Sequence, residues 1–115
     1  MKKILFIILF VAFLLPAIAQ ESGIRFFHGT WDEAIALAKK EKKPIFIDFF
    51  TEWCGPCLNM ALNVFPLPQV GDVYNNNFVC LKIDAEKGEG RELAKKYGVQ
   101  SFPSYIFVNP KTQEL

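Results

Sequence analysis

The chain has 115 residues, 51% of them apolar and 22% charged, with 13 basic and 12 acidic side chains and a net charge of +1. That length holds one domain, and so even a balance, with no basic stripe or aromatic-interleaved Lys/Arg patch, excludes nucleic acid as the expected partner. Three cysteines are too few, and odd in number, for a disulfide scaffold.

The chain opens on Met1-Lys2-Lys3, continues through an apolar run from Ile4 to Leu15, and reaches Pro16 and the small-residue pattern Ala17-Ile18-Ala19. This three-part layout predicts a secretory signal peptide at 1–19, cleaved after Ala19. The run of 12 residues is well short of the roughly 20 that span a bilayer. Loss of Lys2 and Lys3 makes the exported domain, 20–115, nearly neutral.

Ile24 to Phe27 reads as a short strand. Thr30-Trp31-Asp32-Glu33 is a capping box, in which the Thr30 hydroxyl accepts from the Glu33 amide and the Glu33 carboxylate reaches back to residue 30. Ala34, Ile35, Leu37 and Ala38 supply an apolar stripe at helical spacing, and Lys39 to Lys43 form a solvated, cationic helix end. Pro44 stops that helix. Ile45-Phe46-Ile47-Asp48-Phe49-Phe50 then reads as a strand buried on both faces, with one aspartate inside it.

A second helix is expected from Cys54-Gly55-Pro56-Cys57, since Pro56 is tolerated in a first turn and Met60, Ala61 and Leu62 are good formers. It should end before Pro66. Pro68 to Tyr74 is expected to add one further turn, Phe78 to Ile83 a strand, and Arg91 to Tyr97 a helix closed by Gly98 at C′. Ser104 to Val108 is the last strand, followed by a turn at Asn109-Pro110-Lys111-Thr112. Strands alternating with helices predict an α/β fold around a mostly parallel sheet.

A Cys-x-x-Cys is also half of a zinc knuckle, but only Cys80 and His28 remain outside it and they form no second ligand pair. No metal is expected, and the solitary His28 reads as a surface or packing residue. The redox reading fits the position of the pair, where a buried strand hands over to a helix. There Cys54 meets free backbone amides and the positive end of the helix dipole, which favour a thiolate. Cys57, one turn further in, is expected to be more buried and less acidic, the asymmetry that a two-step exchange uses.

The segment Asp48-Phe49-Phe50-Thr51-Glu52-Trp53-Cys54-Gly55-Pro56-Cys57 resembles the active-site segment of the thioredoxin family. Tyr97-Gly98-Val99-Gln100-Ser101-Phe102-Pro103-Ser104 resembles that family's cis-proline segment. The likeness covers roughly Phe26 to Leu115, and the Lys43-Pro44 approach to the strand is also similar to the periplasmic relay domain of membrane thiol:disulfide interchange proteins. The resemblance implies a thioredoxin-like fold, a central mixed β-sheet flanked by helices. It implies Cys54 and Cys57 as the catalytic dithiol and Asp48 as the proton acceptor that helps activate Cys57. A carboxylate inside an apolar strand should also have a raised pKa on physical grounds alone. Trp53, Gly55 and Pro56 would meet the partner, and Pro103, in cis, would hold the Phe102 backbone open for a partner strand.

Three departures stand out. Cys80 occupies the strand position where the family usually has a lysine near the aspartate, and it reads as an inert core thiol. Phe102 is larger than the usual residue before the cis proline and would narrow partner choice. The sequence stops after the turn at Asn109-Pro110, where the family continues, so the C-terminal edge strand and last helix are expected to be missing.

The leading functional expectation is a protein-disulfide reductase or electron relay acting on exported proteins, because Gly55-Pro56 is the dipeptide of reducing thioredoxins. The alternatives are a disulfide oxidase or isomerase, and a non-catalytic thioredoxin-like binding module using the Phe102-Pro103 edge. No cofactor is expected beyond the Cys54–Cys57 disulfide. The expected partners are disulfide-containing proteins and a membrane thiol relay as electron donor, with the protein itself a periplasmic or secreted monomer.

Overall fold

The computed structural model describes residues 22–115, so the signal peptide expected at 1–19 lies outside the described residues. Helix α1, Trp31–Glu41, starts at the expected capping box: the Glu33 amide donates to Thr30 Oγ1 at 3.2 Å and the Thr30 amide to Glu33 Oε1 at 2.9 Å. It ends where Lys42 turns left-handed, φ 56°, and donates its amide back to Ala38 and Lys39. Its buried face is Trp31, Ala34, Ile35 and Ala38.

Strand β1, Ile45–Phe50, is the centre of a three-stranded sheet among the described residues. It pairs in parallel with β2, Val79–Asp84, and antiparallel with β3, Ser104–Val108. Side chains alternate across such a strand. Ile45, Ile47 and Phe49 therefore share one face, where they join Trp31, Ala34, Ile35 and Ala38 of α1 and Leu93 and Ala94 of α4, Glu89–Lys96, in the main core. Phe46, Asp48 and Phe50 point to the other face. That face meets α2, Gly55–Asn63, and α3, Pro68–Asn77: Phe46 packs with Tyr74 at 4.8 Å between ring centroids and with Met60 and Val64 around one small cavity. The result is a sheet with helices on both faces, the thioredoxin-like architecture.

Two elements differ from expectation. Pro68 to Tyr74 is not an added turn but the start of a ten-residue helix, α3. Its glycine and three asparagines weaken intrinsic propensity, but tertiary contacts hold it. Gly71 lies so close to the chain at Gly23 that an added Cβ would sit 2.3 Å from the Gly23 carbonyl oxygen, and Asn75 donates to that same oxygen at 2.9 Å. Ile24 to Phe27 makes only one bridge, Phe26 to Cys80, instead of a strand. Its amides go to three separate acceptors: Ile24 to the Phe65 carbonyl, Arg25 to Asn75 Oδ1 and Phe27 to the Cys80 carbonyl. No ladder can form from such a set. Among the described residues, no helix is long and apolar enough to cross a membrane.

Candidate active site

The strand β1 delivers the chain to Thr51, and a tight turn through Glu52 and Trp53 brings Cys54 to the N-cap of α2. Cys54 has extended backbone, φ −82° and ψ 106°, and Pro56 occupies the first turn, where its missing amide costs no intrahelical bond. Cys54 Sγ accepts from the Cys57 amide at 3.1 Å, so the sulfur itself caps the helix. Cys54 and Cys57 are joined as a disulfide with Cα atoms 5.3 Å apart. Their exposures are equal, 5% each, which differs from the expected deeper burial of Cys57. Both residues lie in a single turn, Cys54 at the N-cap and Cys57 in the first turn of α2. What separates them is the cap position, since the amide-facing sulfur is that of Cys54.

Asp48 is 1% exposed, and among the described residues its Oδ1 has no hydrogen-bond partner; neither does the buried Thr51 Oγ1. Burial raises the Asp48 pKa from its ordinary 3.8 to about 6, with Lys82 pulling the other way. Lys82 is the register partner of Asp48 on β2, and Tyr105 is its partner on β3. A lysine thus stands opposite the aspartate in the strand register, two residues beyond Cys80. Its Nζ lies 5.0 Å from the centroid of the Phe50 ring, a cation–π contact on the same sheet face. Cys80 is 2% exposed, a free thiol that burial pushes up to about 11.

The second motif folds back onto the first. The Phe102–Pro103 peptide is cis, and the Phe102 ring meets the Trp53 ring edge to face at 5.9 Å. Trp53 is 70% exposed. Its indole Nε1 donates to the Glu86 carboxylate, and Lys87 pairs with Glu52, so the loop between β2 and α4 grips both residues before Cys54. These two grips, like the Lys82 position, were not read from the sequence. The only signal was the run of charge Asp84-Ala85-Glu86-Lys87 after a strand. Among the described residues no cluster of three or more His, Cys, Asp or Glu side chains could hold a metal ion.

Two cysteines at a helix start, with an exposed aromatic ring next to the first, have the parts for thiol–disulfide exchange: a sulfur poised for ionisation and a second to displace it. A family model described as thioredoxin-like matches residues 27–110. Thioredoxin-1 of Drosophila yakuba is 40% identical over 68 residues, 59% of this chain and 59% of that one, so the match spans less than two thirds of that relative. The thiol:disulfide interchange protein DsbD 2 of Pseudomonas aeruginosa is 31% identical over 84 residues, 72% of this chain and 14% of that one. Among solved structures, a proposed disulphide-isomerase from Bacteroides thetaiotaomicron is 47% identical with a TM-score of 0.70, covering 81% of this chain and 77% of that one.

Proposed function

The chain belongs to the thioredoxin-like family, and from that premise we propose that it is a protein-disulfide reductase or electron relay working through Cys54 and Cys57. The observation that carries the proposal is the capping geometry, in which Cys54 Sγ takes the Cys57 amide at the start of α2. In the reduced protein the same amide and the helix dipole stabilise a Cys54 thiolate. That thiolate attacks one sulfur of a partner disulfide; a mixed disulfide forms and the partner's other sulfur leaves as a thiolate, taking up a proton. Cys57 then loses its proton, to Asp48 in this proposal, and attacks Cys54 Sγ. The partner leaves with two thiols and the protein keeps the Cys54–Cys57 disulfide, two electrons having moved outward. A second dithiol must restore the reduced form, and the resemblance to relay domains supports a membrane thiol relay in that role.

Trp53, Gly55, Pro56, Phe102 and Pro103 form the surface the partner meets in this reading, supported by the Trp53–Phe102 contact. The N-terminal pattern at 1–19 supports export to the periplasm or beyond. A second reading, disulfide isomerase, is favoured by the similarity to the Bacteroides protein. The test is a disulfide-loss assay on a protein substrate with the reduced domain, run beside refolding of a scrambled substrate. Stoichiometric loss of substrate disulfide, absent in Cys54→Ser, supports the reductase. Activity confined to the scrambled substrate supports the isomerase, and activity retained in Cys54→Ser refutes both.

A further inference from the structure

The outward face of α2 is unusual for a solvated helix. Such faces ordinarily carry charge, and in this chain 22% of residues are charged, yet Gly55 to Asn63 contains none. Leu58 and Leu62 stand on it at 60% and 65% exposure. Asn59 and Asn63 sit beside them, and the Asn63 side-chain amide donates to Asn59 Oδ1 at 2.8 Å. The inward side of the same helix is already occupied by Cys57, Met60 and Val64. The two leucines are therefore surplus to the core.

Their spacing ties them to the exchange centre. Leu58 and Leu62 follow Cys54 by four and eight residues, which at about 1.5 Å per residue sets them about 6 and 12 Å along the helix from the attacking end. An extended peptide advances about 3.3 Å per residue and turns alternate side chains the same way. Residues two and four positions from a partner's reacting cysteine cover those two distances and share one side. The opposite flank of Cys54 is built differently, from Glu52 paired with Lys87 and Trp53 bound to Glu86.

We infer that Leu58 and Leu62 extend the exchange surface and select partners whose disulfide lies in an extended segment with apolar residues two and four positions from the exchanged cysteine. The inference rests on the dithiol reading above. Contact between these leucines and the partner's apolar side chains removes both from water, and it stabilises the encounter from which the Cys54 thiolate attacks. The chemical step is unchanged: Cys54 displaces the leaving thiolate, and Cys57 then frees the peptide as a thiol.

The experiment uses the domain reduced with dithiothreitol and freed of it, reacting with cysteine peptides carried as mixed disulfides with thionitrobenzoate. One peptide has leucine, and a matched one serine, at the positions two and four from the cysteine on both sides. Dithiobis(nitrobenzoate) itself serves as the small disulfide. The expected result is a rate constant about 10-fold higher for the leucine peptide, with the preference lost in the double variant Leu58→Gln, Leu62→Gln and the small-disulfide rate unchanged. Equal rates on the two peptides, or a preference that survives in the double variant, overturn the inference. A concentration-dependent dimer that the double variant dissociates also overturns it, since the stripe would then belong to a second copy. No reaction with the small disulfide would instead remove the dithiol reading itself.

Discussion

Asp48 and Lys82 are register partners on the two parallel strands β1 and β2, and they are of opposite charge inside a sheet whose other central positions are apolar. The carboxyl is buried with an unpartnered oxygen, and the lysine reaches outward over Phe50. Burial outweighs the attraction, so the aspartate holds its proton to about pH 6.

The first prediction follows from that balance. A folded-state pKa near 6 against an ordinary 3.8 means that the folded protein binds more protons than the unfolded chain between those values. Stability attributable to Asp48 is therefore fully present below 3.8, falls as pH rises through the window, and stays low above 6. Asp48→Asn should raise stability above that window by about 2 to 3 kcal/mol and have little effect at its acid end, while slowing resolution by Cys57. Lys82→Met should move the window to higher pH, because it removes a cation that lowers the Asp48 pKa. Denaturation midpoints measured across pH check both; a pH-independent difference between Asp48→Asn and the parent would contradict the account.

The second prediction separates the two sulfurs. Cys57→Ser should accumulate mixed disulfides with a partner, because Cys54 still attacks and nothing displaces it. Cys54→Ser should accumulate none. Non-reducing electrophoresis distinguishes the two, and the reverse pattern would assign the attack to Cys57.

Cys80 gives the third. Its thiol lies 2% exposed, directed to the Tyr74 and Phe78 carbonyl oxygens, with a pKa pushed up to about 11 by burial. In the disulfide form of the protein it should resist iodoacetamide until denaturant reaches the unfolding midpoint. Mass spectrometry reads the label directly, and rapid labelling of the native protein would show an accessible thiol.

The fourth concerns the segment before α1. Asn75 binds it from both sides of one amide, accepting from the Arg25 amide and donating to the Gly23 carbonyl oxygen. Asn75→Ala should cost about 1 to 3 kcal/mol through the partners it leaves unmatched. Gly71→Ala should also destabilise, since its Cβ has no room beside Gly23. Thermal unfolding checks both, with an unchanged midpoint in either variant counting against this packing.

Much of the site was legible in the sequence because its chemistry depends on contiguous residues. The capping box at Thr30, the buried run around Asp48, the helix start at Cys54 and the C′ glycine at Gly98, with φ 68°, are local patterns with local causes. What escaped depends on register and packing. The lysine in register with Asp48 could be identified only once the parallel pairing set Lys82, not Cys80, opposite it. Helix α3 escaped because its asparagines and Gly71 argue against a helix until Gly23 and Phe46 are packed upon it. The equal burial of Cys54 and Cys57 escaped for a similar reason, since exposure is set by tertiary packing around the turn and not by position along the helix alone.

The central claim is that Cys54 and Cys57 form a reducing dithiol, and its reduction potential tests this most directly. The Gly55-Pro56 spacer brings no charge or ring to the Cys54 thiolate, so the helix-end amides are its main support. A modestly stabilised thiolate leaves the reduced form a ready electron donor. Equilibration of the purified domain against thioredoxin and glutathione couples should therefore give a value near that of thioredoxin, about −270 mV. A potential well on the oxidising side of glutathione, approaching the roughly −120 mV of a strong disulfide oxidant, would contradict the reductase account.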